Sequence, residues 1–245
     1  MDTLAERISA VRERIAAAAL RAGRSPAEVR LVGVTKTHPP EVVAAALAAG
    51  LAEFGENRVQ EAETKIGALA AERARITWHL IGHLQRNKAG RAAAIFDMVH
   101  SVDSLRLAEA LDRQVGARAG DAALPLPILL QVNVSGEATK EGFDLAAWRE
   151  RPAALEAFLA DVERILALPH LEVRGLMTIA PWGEDPGLAR PTFRATRDLR
   201  DLLARRFPAA RWPELSMGMT DDFEVAIEEG ATIVRVGRAI FGSRG

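Results

Sequence analysis

The sequence predicts an α/β fold, a single (β/α)8 TIM barrel with one extra helix at its N-terminus. Three observations carry this expectation. Apolar β-like runs alternate with amphipathic helix-like stretches eight times along the chain. The length of 245 residues suits one barrel of about 250 residues. No repeat, low-complexity tract or linker marks a second domain, so 1–245 reads as one unit.

Residues 3–22 predict the extra helix: Leu4, Ile8, Val11, Ile15 and Leu20 recur at helical spacing, and Gly23 stops the run. The first strand is Arg30–Lys36, an apolar run ending in a lysine, with Pro39 and Pro40 opening a helix through Ala49. Glu53–Asn57 is a short second strand before a helix from Arg58 to Arg73. Ile76–Gly82 is the third strand, Asn87–Ala94 a helix, Met98–Val102 the fourth strand and Ser104–Arg118 its helix. Ile128–Val134 is the fifth strand, bounded by Pro125 and Pro127, followed by a helical region over Asp144–Leu168 that Pro152 should break. Val173–Ile179, Glu214–Met219 and Thr232–Val236 complete the strands. Leu188–Arg206 and Asp221–Glu229 are the helices between them, the latter capped by Thr220, and a short helix or turn ends the chain.

Composition excludes several chemistries. A net charge of −1 gives no electrostatic case for nucleic acid or a membrane surface, and no apolar run reaches membrane-spanning length. Charges throughout the first twenty residues argue against a leader, and the chain reads as cytoplasmic. With no cysteine there is no thiolate nucleophile or disulfide framework, and with no tyrosine there is no phenol for acid–base work.

A barrel gathers its chemistry where the strands end. That face collects Lys36, Asn57, His83, Ser101, Asn133, Met177-Thr178, Ser216-Met217-Gly218 and Arg235 through Gly237-Arg238. Lys36 is either a solvated lysine capping a strand or an amine set to form a Schiff base with an aldehyde. The turns after strands seven and eight bring a hydroxyl, two glycines and a guanidinium, which suits a phosphate; alternatively the glycines only ease tight turns. Arg235, between Val234 and Val236, points inward by alternation. It is either a fixed cation beside a ligand ring or half of an internal ion pair with Glu53 or Glu56. His79 and His83 lie four apart on a strand rather than a helix, without the glutamate of the protease motif, so metal binding is not expected. His100 and His170 belong to no constellation, His38 decorates a turn, and Lys65, Lys88 and Lys140 read as solvated charges, Lys140 on the active face.

Several segments resemble the pyridoxal-phosphate-binding homeostasis proteins (the YggS/PROSC family). They are Val34-Thr35-Lys36-Thr37, Phe54-Gly55-Glu56-Asn57-Arg58-Val59-Gln60-Glu61 and the run Trp78 to Lys88. His100-Ser101-Val102-Asp103, Gln131-Val132-Asn133, Gly175-Leu176-Met177, Leu215 to Asp222 and Val234 to Gly242 follow in order. The resemblance implies a fold-type III-like barrel, that of alanine racemase without its second domain. It implies pyridoxal 5′-phosphate (PLP) as cofactor, joined to Lys36 as a Schiff base, with Asn57 nearby. Ser216 and the Gly237-Arg238 turn would hold the phosphate, and Arg235 would face the pyridine nitrogen. Arg238 departs from a threonine frequent in the family, so its backbone N–H is the firmer contact.

A carrier in vitamin B6 homeostasis, rather than a strong catalyst, is the expected function. Arginine at the pyridine nitrogen disfavours ring protonation and weakens the ring as an electron sink. The second proton donor of alanine racemase is a tyrosine, and this chain has none. The alternatives are a PLP-dependent amino-acid enzyme using another base, a Schiff-base aldolase for a phosphorylated sugar, and a pure interaction module. Partners expected are PLP and PLP-dependent apo-enzymes, with the chain monomeric.

Overall fold

The computed structural model describes residues 2–119, 124–137, 139–183 and 185–242. Eight parallel strands close into a barrel: β1 Arg30–Val34, β2 Glu53–Glu56, β3 Thr77–Leu80, β4 Met98–Val102, β5 Leu126–Asn133, β6 Leu171–Met177, β7 Glu214–Ser216 and β8 Ile233–Val236. Each pairs with the next, and β8 returns to β1 in the register Arg30↔Ile233 through Gly33↔Val236. A two-residue strand, Phe143–Asp144, adds to the end of β5. Crossover helices cover the outside: α2 Pro40–Ala48, α3 Val59–Ala68, α4 Ala89–Ile95, α5 Leu105–Ala119, α6 Pro152–Leu166, α7 Arg190–Arg206, α8 Phe223–Glu228 and α9 Arg238–Phe241. Among the described residues, no helix is long and apolar enough to cross a membrane.

The twofold period of a strand sends alternate side chains outward to the helices and inward to the barrel. The outer layer holds most of the core, including the fully buried Phe54, Trp78, Phe193 and Phe223. Each such ring contributes about 1.5–3 kcal/mol of burial. Inside, Val32, Met98, Leu129, Met177 and Ile233 form a small apolar plug.

The extra helix, α1 (Leu4–Arg21), opens with a capping box between Thr3 and Glu6 and buries Ile8, Val11, Ile15, Ala18 and Ala19. Its apolar face packs on α8 and α9. Arg7 Nε donates to the Ile240 carbonyl at 2.5 Å, and Arg24, just past its end, donates to the Ile227 and Ala231 carbonyls at 2.9 and 2.8 Å. The N-terminal helix thus fastens the last two βα units, which carry the turns richest in candidate site residues.

Three expectations need correction. The helix predicted from Asp144 begins at Pro152, because proline is pre-organised for a first helical turn and starts the helix instead of breaking it. The helix predicted to Arg73 ends at Ala68 and continues as a 3-10 segment, Ala70–Arg75. Thr220 does not cap α8: the cap is Asp222, whose Oδ1 accepts the Met219 N–H at 2.6 Å. Gly218, at φ 95°, turns the chain sharply after β7, and a side chain there would lie 2.6 Å from Ala226 Cβ. That turn leaves Thr220 and Asp221 facing the barrel mouth.

Candidate functional site

A cavity of about 540 Å³ opens at the carboxyl ends of the strands. Its lining includes Lys36, Asn57, Arg235, Gly237 and Arg238. These five of the six residues predicted from sequence therefore meet in one place. Lys36 lies two residues beyond the end of β1, keeping the inward parity of Val32 and Val34. Asn57 follows β2 and Gly237 follows β8 by the same logic.

The backbone on either side of Lys36 is held by a buried ionic cluster. Lys65, on α3, is only 3% exposed and donates to Thr35 O at 2.6 Å and to Glu56 Oε1 and Glu61 Oε1, both at 2.7 Å. Thr35 Oγ1 also donates to Glu56 at 2.5 Å, and the Thr37 N–H to Glu61 at 2.5 Å. Thr37 sits at φ 69°, a turn that a residue with a branched side chain seldom adopts unaided. Burial pushes the Glu56 carboxyl above its usual range despite Lys65. Burial pushes Glu61 the same way, but hydrogen bonds from Lys65 and the Thr37 N–H win and leave it lowered. Lys65 is thus not a solvated charge: Glu56 and Glu61 hold it against the Thr35 carbonyl, one residue before Lys36.

Asn57 is fixed by close approach. A Cβ on Gly82 would fall 2.3 Å from the Asn57 carbonyl oxygen, so only glycine lets the end of β3 lie against it. The Asn57 side-chain oxygen is buried beside the cavity with no hydrogen-bond partner.

Arg235, 4% exposed, forms the cavity floor. It donates through NH1 to Ser216 Oγ at 2.6 Å and through NH2 to Thr178 O at 2.9 Å. Burial lowers its pKa to about 10, so it remains a cation at neutral pH. The internal ion pair with Glu53 or Glu56 is not formed: Glu53 pairs with Arg30 at 3.5 Å and Glu56 with Lys65 at 2.7 Å. Among the described residues Arg235 makes no direct ion pair, but the charge of Asp222, past the Gly218 turn, acts on it and offsets part of the effect of burial.

Ser216 departs from its expected place. It is fully buried under Arg235, with His100 Nδ1 2.9 Å from its hydroxyl, and it does not line the cavity. The hydroxyl at the mouth after β7 belongs to Thr220, four residues on, beyond the Gly218 turn. Arg238 reaches the rim but engages Asp221 with one nitrogen 2.5 and 2.6 Å from the two carboxylate oxygens. Ile81 and Ile179 supply apolar walls that sequence reasoning passed over, although both continue the inward parity of their strands.

Other expectations change with the structure. His100 joins a constellation after all, with Ser216 on one side and His79 Nδ1 at 3.0 Å on the other. His79 is fully buried, whereas His83 is exposed and pairs with Asp103 at 3.1 Å, close to Glu141. Lys140 is mostly buried in a neighbouring hollow, ion-paired with Glu137, and burial lowers its pKa.

Residues 7–245 match the alanine racemase N-terminal domain family. The pyridoxal phosphate homeostasis protein of Aquifex aeolicus (strain VF5) is 44% identical over 239 residues, covering 98% of this chain and 97% of the relative. The chain belongs to the pyridoxal phosphate homeostasis protein family. Another member, from Escherichia coli (strain K12), is 40% identical over 253 residues, covering 100% of this chain and 98% of its own. Among solved structures, PipY of Synechococcus elongatus PCC7942 with PLP bound is 39% identical, with a TM-score of 0.80 over 98% of this chain and 100% of that one. Alanine racemase of Clostridium difficile 630 shares the fold, with a TM-score of 0.69 at 13% identity over 100% of this chain and 57% of that one.

The site suits the family's cofactor on its own features. Asn57 offers an unmet buried oxygen, Arg235 a buried cation with donors to spare, and Gly237 a bare backbone where a Cβ would crowd the Val34 carbonyl at 3.3 Å.

Proposed function

We propose that this member of the pyridoxal phosphate homeostasis family holds PLP as a Schiff base on Lys36 and serves as a carrier in vitamin B6 homeostasis, without strong catalytic activity. The observation that carries the reading is the single cavity wall-to-wall with an amine, an unmet amide oxygen, a cation that makes no direct ion pair and a glycine turn. The names of the relatives and the PLP-bound PipY structure support it.

Bound there, the cofactor supplies an aldehyde: the Lys36 amine adds to its carbon, water leaves, and a C=N bond remains until water reverses the step. Ile81 and Ile179 flank the cavity with apolar surface, which keeps a ring out of bulk water. Thr220, with the backbone of the Gly237-Arg238 turn, takes the phosphate at the mouth in place of the buried Ser216. Arg235 donates to the ring nitrogen. A cation that makes no direct ion pair with a carboxylate disfavours a protonated ring, and this limits electron withdrawal from a bound amino acid. With no tyrosine in the chain, the second proton donor of alanine racemase has no counterpart of that type. Release of the aldehyde to apo-enzymes follows from a reversible bond at an open mouth.

The test is spectroscopic. Purified protein given PLP should absorb at about 420 nm, the Schiff-base region of this cofactor. Lys36→Ala should abolish the band. Loaded protein should activate an apo-enzyme acceptor, and alanine should not be racemised at ordinary enzymatic rates. An unchanged band in Lys36→Ala, or rapid racemisation, overturns the proposal.

A further inference from the structure

A row of buried polar side chains crosses the barrel interior beneath Arg235. Glu53 opens β2, His79 lies on β3, His100 on β4, Ser216 on β7 and Arg235 on β8. His79 Nδ1 is 3.0 Å from His100 Nε2 and His100 Nδ1 is 2.9 Å from Ser216 Oγ, both hydrogen bonds, while His79 Nε2 lies 3.1 Å from Glu53 Oε2 as a polar contact without hydrogen-bond alignment. The Arg235 guanidinium closes the row at 2.6 Å. His79, His100 and Ser216 are all fully buried. At the far end Glu53 faces Arg30 at 3.5 Å, and Arg30 in turn faces Glu214 at 2.8 Å.

The direction of every bond follows from its two ends. Arginine can only donate, so Ser216 Oγ accepts from Arg235. The Ser216 hydrogen then has His100 Nδ1 as its acceptor. That nitrogen carries no proton, so His100 Nε2–H donates to His79 Nδ1, and His79 Nε2–H is left to face the Glu53 carboxylate, which can only accept when ionised. The opposite direction strands the Ser216 hydrogen in a buried place without an acceptor. With neutral rings it also sets a bare His79 nitrogen against a carboxylate. Burial pushes the His100 imidazole well below its usual range, and the Arg235 charge acts in the same sense, as a neutral ring requires.

We propose that His79, His100 and Ser216 form a one-way hydrogen-bond relay, anchored by the contact with the Glu53 carboxylate, that positions Arg235 and fixes which of its N–H groups face the cavity. Two of the five guanidinium donors are committed, one to Ser216 and one to Thr178 O, and the orientation of the rest follows. The acceptor end of each neutral group points at the guanidinium and each donor end at Glu53. The aligned dipoles therefore ease the burial of a cation that makes no direct ion pair and has only the more distant charge of Asp222 to balance it. These four are positioning residues, because none lines the cavity.

The first arm of the test needs no cofactor. Side-chain nitrogen NMR of histidine-labelled wild-type protein at neutral pH should show His79 and His100 as neutral rings, each protonated at Nε2. A proton on Nδ1 of either ring, or an imidazolium at His79, overturns the relay. The second arm rests on the proposed cofactor. His100→Gln presents a carbonyl oxygen to Ser216 and an amide N–H to His79, preserving the direction, whereas His100→Leu breaks it. The Leu variant should bind PLP about tenfold more weakly and shift the nitrogen signal of labelled PLP. The Gln variant should stay within about threefold of wild type. Equal behaviour of the two folded variants overturns the proposal. If the Leu variant does not fold, Ser216→Ala replaces it with the same expectation. Wild-type protein that binds no PLP would refute the cofactor reading while leaving the ring tautomers a valid test of the relay.

Discussion

Replacing Lys65 with methionine removes the cation from the buried cluster between α3 and the ends of β1 and β2. Three acceptors lose a donor at once: Thr35 O, Glu56 and Glu61. Breaking a buried pair by deleting one partner costs about 3–5 kcal/mol. An independent bound comes from the escape open to Glu56, which is to bind a proton. From its ordinary value of 4.5, protonation at pH 7 costs about 3.4 kcal/mol, at 1.36 kcal/mol per unit. The two figures agree on about 3–4 kcal/mol, which for a domain of this size lowers Tm by about 6–16 °C. The deficit should shrink on acidification. In the variant the protonated Glu56 is the form compatible with burial, so its contribution is present at low pH and lost as pH rises through the raised folded pKa. Thermal unfolding of wild type, Lys65→Met and Lys65→Met/Glu56→Gln at pH 7 and pH 5 reads all of this. A Lys65→Met Tm within about 2 °C of wild type, or a double variant no better than the single, would refute the reasoning.

Stability should also fall as pH drops below about 6.5. The folded state holds His100 well below that value while the unfolded chain protonates it, so the unfolded state binds more protons. The slope is about 1.4 kcal/mol per pH unit for one such group, and His100→Gln should remove most of it, leaving the smaller contribution of His38, also lowered by burial; equal slopes by denaturant titration would contradict this. Gly82→Ala, whose new methyl would meet the Asn57 backbone, should weaken PLP retention more than it changes secondary structure, checked by dialysis of loaded protein beside circular dichroism. Asp221→Asn should release Arg238 toward the phosphate and tighten PLP binding about two- to fivefold, the scale of an exposed ion pair, while calorimetry showing weaker binding would assign Asp221 a different part.

Much of the barrel was legible because strand parity is a local property. Lys36, Asn57, Arg235 and Gly237 each sit at the inward phase of a recognisable apolar run, so their meeting at one mouth follows from counting in twos. What escaped were relations between distant segments. The burial of Lys65 depends on Glu56 lying opposite on β2, which no helical periodicity reveals. His100 meets Ser216 across the barrel, 116 residues away, so each looked isolated along the chain. Thr220 rather than Ser216 supplies the hydroxyl at the mouth, because the turn at Gly218 decides which one reaches it. Pro152 reads as a breaker by residue type alone, whereas its context makes it a helix starter.

The central claim, a covalent link between the Lys36 amine and the cofactor aldehyde, is tested most directly by trapping it. Borohydride reduction of PLP-loaded, folded protein, followed by peptide mapping, should place the reduced adduct on Lys36. An adduct confined to other lysines, with Lys36 unlabelled, would contradict the account.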